Sequence, residues 1–87
     1  MVDVYDVFVD YRKIGSEIRR WRKRIGLSQE KLGELVGLSQ KQISRIENYG
    51  TDSLWKVKNI AAVFGITIDE LIGAREELQD REEPEGR

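Results

Sequence analysis

Apolar residues recur at helical rather than strand spacing along most of this 87-residue chain. Leu32 and Val36 lie four apart and Ile43 and Ile46 three apart, while Leu54, Val57, Ile60, Ala61 and Phe64 form one inner stripe. Start and stop signals cut this pattern into short pieces. Ser28 is placed to cap a helix opening at Gln29, with Leu27 and Leu32 as a hydrophobic staple, and Gly37 follows Val36 where a left-handed residue closes a helix. Only Leu38 and Ser39 intervene before the next start, where Ser39 and Gln42 make a capping box and Leu38 and Ile43 a second staple. Two short helices therefore meet at a sharp angle across a turn of about three or four residues. Downstream, Ser53 is placed to cap the helix carrying the Leu54 to Phe64 stripe, and Gly65 ends it. Thr67 with Glu70, stapled by Ile66 and Leu71, starts a last short helix at Ile68 that Gly73 closes. Upstream, a helix runs to about Ile25, with Ile18, Trp21 and Ile25 turned inward and Gly26 as its end.

The prediction is an all-α bundle of five helices over residues 12–73, between two extensions. Residues 1–11 admit two readings. Their Val, Phe and Tyr content suits a β-arm that pairs with its twin in a dimer. Alternatively, Val4, Val7, Tyr11, Ile14 and Ile18 keep the spacing of an extended first helix. Residues 74–87 are charged, acidic and nearly free of apolar side chains, which predicts a flexible tail.

The helix Gln40 to Asn48 raises the functional question. Ile43 and Ile46 face inward, leaving Gln40, Lys41, Gln42, Ser44, Arg45 and Asn48 outside. A solvated face in a chain with nearly equal numbers of acids and bases should mix signs, yet Ser39 to Ile46 holds no Asp or Glu. Glutamine can pair bidentately with adenine, and arginine or lysine with guanine; the same donors attract phosphate oxygens. Net charge alone obscures this, because the total is -1. Residues 12–72 hold twelve Lys or Arg against seven Asp or Glu, while each end carries an excess of three acids. The predicted domain is basic and its extensions acidic.

These residues resemble the helix-turn-helix of the Cro/CI repressor (XRE-like) family. IGSEIRRWRKRIGLSQEKLGELVGLSQKQISRIEN is similar to the first three family helices and SLWKVKNIAAVFGITIDELIG to the last two. The resemblance implies a lambda-repressor-like fold and carries base reading to Gln40, Lys41 and Arg45. It places Gln29, Ser39, Gln42, Ser44 and Asn48 against the DNA backbone, Gln29 assisted by the positive end of its helix. It also implies a structural salt bridge between Arg22 and Glu47. Departures from the family pattern are informative too. Gly33 stands where alanine is usual, and Leu35 and Trp55 are apolar where the family is polar; these two, or the apolar N-terminal segment, offer a surface for a protein partner. The loop Tyr49 to Asp52 is one residue short, has its glycine late at Gly50 and lacks the usual proline and bases, so its backbone contacts are in question.

Composition narrows the alternatives. With no Cys and no His, thiolate metal sites, disulfides and the usual general base are absent, which argues against an enzyme, a bound metal or a cofactor. No apolar run approaches the ~20 residues that span a bilayer, so the chain reads as cytoplasmic. The expectation is a transcriptional regulator of duplex DNA, a repressor acting as a homodimer on a palindromic site, its two reading helices ~34 Å apart. Rival readings are a controller of a restriction-modification operon and an antitoxin-type protein-interaction module.

Overall fold

Helix boundaries fall at the serine, threonine and glycine punctuation of the chain. The computed structural model describes residues 11–72. Among them α1 (Tyr11–Ile25), α2 (Gln29–Val36), α3 (Gln40–Tyr49), α4 (Leu54–Phe64) and α5 (Ile68–Ile72) follow in order, with no strand. Ser28 Oγ accepts from the Lys31 N–H at 2.9 Å. At α3 the box is reciprocal: Ser39 Oγ accepts from the Gln42 N–H at 3.1 Å, and Gln42 Oε1 from the Ser39 N–H at 2.9 Å. Thr67 and Glu70 repeat that arrangement before α5. Ser53 differs from expectation. Its hydroxyl makes no capping bond, and its own N–H is taken by Thr51 Oγ1 at 3.1 Å, so the loop rather than a serine cap sets the start of α4.

The five apolar stripes converge on one core of Ile14, Ile18, Leu32, Ile43, Ile46, Val57, Ile60, Ala61, Phe64 and Leu71. α1 lies across α3 and touches α4 and α5; α2 fills the corner between α3 and α4. Burying each of these large aliphatic side chains contributes about 1.5–3 kcal/mol, and a domain of this size has few to lose. Leu27, Leu38 and Ile66 pack against the rim of the core.

Two apolar positions expected inside are not. Ile25 is 45% exposed, because residues 23–26 are all exposed and the last turn of α1 overhangs the body. Leu54 is 67% exposed, since the first turn of α4 forms one wall of an open apolar groove with Tyr11, Ile14, Val57, Ile68 and Ile72. Trp21 is half-buried.

At the crossing of α1 and α3 the two backbones nearly touch. A Cβ on Gly15 would run into the Ile46 carbonyl oxygen and lie 2.7 Å from that of Glu47. This contact places Arg22, two turns along α1, beside the Glu47 side chain. The described part of α1 starts at Tyr11; the rest of the N-terminal extension, Gly73 and the acidic tail lie outside the described residues. Among the described residues, no helix is long and apolar enough to cross a membrane.

Candidate nucleic-acid interface

The turn between α2 and α3 is closed by backbone. Gly37, with φ 78°, and Leu38 both donate to the Gly33 carbonyl. A Cβ on Gly33 would meet the Leu38 carbonyl oxygen, so the turn folds directly onto α2 where the related family places alanine. Glycine here costs ~1 kcal/mol of helix propensity and permits the close approach.

That turn projects α3 with three distinct sides. Ile43, Ile46 and Glu47 are buried; Lys41, Arg45 and Asn48 stand outermost and exposed. Gln40 is exposed on the side of α2, Ser44 half-buried, and Gln42 and Tyr49 are exposed on the side of α4. The outward face carries no carboxylate, because the single acid of α3, Glu47, is 3% exposed and turned inward. Neither Lys41 nor Arg45 is held by a hydrogen bond or ion pair among the described residues.

Glu47 is the hub of a buried polar network. Arg22, 8% exposed, donates to it in bidentate fashion, Nε to Oε2 and Nη2 to Oε1 (3.1 Å), and sends Nη1 to the Leu27 carbonyl at 2.8 Å. Gln29 Nε2 donates to Glu47 Oε1 at 3.0 Å, and Arg19 Nε lies 3.5 Å from the same oxygen. Burial by itself would raise the Glu47 carboxyl above its ordinary range. The Arg22 and Gln29 hydrogen bonds, the Arg22 charge and the Arg19 hydrogen bond together outweigh it, and the pKa is lowered. No buried side-chain polar atom is left without a partner among the described residues.

The network also orients groups that face outward. A carboxylate only accepts, so Gln29 must present its amide nitrogen to Glu47, which leaves Gln29 Oε1 to receive Gln40 Nε2 at 3.5 Å. Gln40 then shows the exterior one oxygen acceptor and one N–H, the pair that matches the adenine edge. Toward the other end of α3, Arg19 Nη2 donates to Asn48 Oδ1 at 2.9 Å. Because a guanidinium cannot accept, the Asn48 amide nitrogen is turned away as a donor. At Ser39 and Gln42 the capping box occupies one oxygen each, leaving the hydroxyl proton and the amide nitrogen available.

Gln40, Lys41, Arg45 and Asn48 thus share one exterior, Gln29 joins it from α2, and Ser44 stands at its edge. Arg22 lies beneath this surface and supports it. Leu35 and Trp55 are both about half exposed. Arg19 is missing from the motif reading because it sits in a run of bases that resembles a solvated face; its position three before Arg22 put it on the same side of α1. Tyr49 and Lys56, which share a cleft beside α3, gave no such signal, since their proximity depends on how α4 docks.

Comparison with known proteins supports this arrangement. The helix-turn-helix family profile matches residues 18–71. The restriction-modification controller protein C.AhdI from Aeromonas hydrophila is 33% identical, with a TM-score of 0.66, over 71% of this chain and 96% of its own. The SinR protein/SinI protein complex is similar at 30% identity and a TM-score of 0.64, over 75% of this chain and 65% of the other. Hydroxypropylphosphonic acid epoxidase from S. wedmorenis, at 21% identity and a TM-score of 0.67, shares the fold alone, over 74% of this chain and 35% of its own. Among curated proteins, none matches the chain.

Proposed function

The chain belongs to the XRE-like Cro/CI helix-turn-helix family of DNA-binding transcriptional regulators, and from that premise we propose that it is a homodimeric repressor reading a palindromic operator. In this reading α3 enters the major groove, where Gln40, Lys41 and Arg45 contact base edges. Gln29, Ser39, Gln42, Ser44 and Asn48 bind the sugar-phosphate backbone, and α2 crosses it with its N-terminal amides toward a phosphate. The observation that carries the reading is the exposed, carboxylate-free outer face of α3, supported from below by the Arg22–Glu47 pair.

The domain reading is residues 12–73 as the binding unit, with 1–11 and 74–87 as accessory extensions. Repression follows when such a dimer occupies promoter DNA. Likeness to C.AhdI favours one specific setting, control of a restriction-modification operon, and adjacent methyltransferase and nuclease genes would be its signature.

Selection from a randomised duplex library at stated salt tests the proposal. The expected result is one consensus with two inverted half-sites whose centres are about one helical turn, ~34 Å, apart. Enrichment of a single half-site would remove the homodimer, and a flat library would remove sequence reading altogether. A reporter driven by a promoter carrying the selected site should lose expression when the chain is present; a gain would make it an activator.

A further inference from the structure

A helix about 10–12 Å across nearly fills a major groove about 12 Å wide, so the phosphate chains of both strands run close along its two flanks. One flank of α3 is already provided for, since Gln29 and the start of α2 stand beside Gln40. The other flank opens into a cleft of about 290 Å³ between α3, the following loop and α4. Its side chains include Gln42, Arg45, Tyr49, Thr51 and Lys56. All five offer hydrogen-bond donors, two are cations, and no carboxylate is among them. Gln42 keeps its amide nitrogen free because its oxygen is tied to the Ser39 N–H; Thr51 accepts from Ser53 and retains its hydroxyl proton. Lys56 has no carboxylate partner among the described residues, and its ammonium lies 5.8 Å from the centre of the Trp55 ring.

We propose that this cleft seats a backbone phosphate of the DNA strand on the α4 side of the groove, with Lys56 as its principal cation and Tyr49 and Thr51 as hydroxyl donors. The inference rests on α3 lying in the major groove. It also accounts for the short loop after α3: the bases that the loop lacks are replaced by one lysine delivered from α4. Asp52, which would oppose a phosphate, lines the apolar groove on the other side of the loop instead of this cleft. Gly50 makes that division possible. With φ 82° and ψ −175° it occupies backbone space essentially reserved for glycine, and a Cβ there would strike the Tyr11 carbonyl.

The test compares wild type, Lys56→Ala, Lys56→Arg and Lys58→Ala on the duplex obtained by selection and on a random-sequence duplex of equal length. Lys58 is an exposed base on the same helix and outside the cleft. Loss of one phosphate contact predicts that Lys56→Ala lowers affinity by the same factor on both duplexes and makes the slope of log K against log salt less negative by about 0.9. Lys56→Arg should restore the slope and Lys58→Ala should keep it. In the selected duplex, replacing flanking phosphates singly with neutral methylphosphonates should reveal one position where wild type and Lys56→Ala bind alike. An unchanged slope in Lys56→Ala, an equal effect of Lys58→Ala, or the absence of any such position overturns the seat while leaving a wild-type consensus intact. A wild-type chain that selects no consensus overturns the seat together with the reading beneath it.

Discussion

Two side chains, one on α3 and one on α2, separate specificity from affinity. Arg45, on α3, is exposed and unheld among the described residues, so its guanidinium is free to take up a base edge, whereas Gln29, the first residue of α2, is fixed by Glu47. Arg45→Ala should cost ~1–3 kcal/mol and relax one position in each half-site, as read by repeating the library selection. Gln29→Ala should weaken all duplexes alike, and a shifted consensus with undiminished affinity would assign Gln29 to bases instead. The buried pair makes a separate prediction about stability. Glu47→Gln leaves the Arg22 guanidinium buried beside a neutral amide, which should cost ~3 kcal/mol near neutral pH in urea unfolding. The Glu47 carboxyl titrates below its ordinary value of 4.5 in the folded state, so its contribution is present in full above that pH. It is lost as pH falls through the lower folded value, and the stability gap between wild type and Glu47→Gln should close there. A gap that widened in acid would show that burial outweighs the hydrogen bonds.

At the level of the helices, the position of α1 on α3 decides whether this network assembles. Gly15 allows the two backbones to meet, and the consequence of a side chain there can be weighed. Alanine gains ~1 kcal/mol of helix propensity, yet the methyl must displace the Ile46 carbonyl or lift α1, an overpacking cost of ~1–3 kcal/mol. Gly15→Ala should therefore lower the unfolding midpoint and, by drawing Arg22 away from Glu47, weaken DNA binding as well. A more stable variant with normal binding would mean that the crossing has slack. Helix ends were legible beforehand because a capping box, a staple or a glycine acts within four residues. Ser53 was the exception: a serine followed by an apolar stripe reads as a cap, but the Thr51 hydroxyl takes its N–H and the geometry of the loop decides the outcome.

For the whole molecule, the chain's net charge of -1 conceals a basic region, two of whose exposed bases, Lys41 and Arg45, project from α3. Binding to duplex DNA should consequently fall steeply with salt, measured as the slope of log K against log salt. A partner protein held through Leu35 and Trp55 would resist salt, so copurification at high salt would point to protein recognition in place of DNA. The periodicity and punctuation of the sequence by themselves determined the five helices, the turn between α2 and α3, and which residues of α3 face outward, because each depends on hydrogen bonds and side-chain spacing within one or two turns. Only the tertiary structure decided that Ile25 and Leu54 remain in solvent, that Gly15 lets α1 reach α3, that Arg19 orients Asn48, and that Lys56 stands across a cleft from Arg45. Those outcomes depend on where one helix ends relative to the body of another, a distance that residues far apart in the chain encode jointly and that no local pattern records.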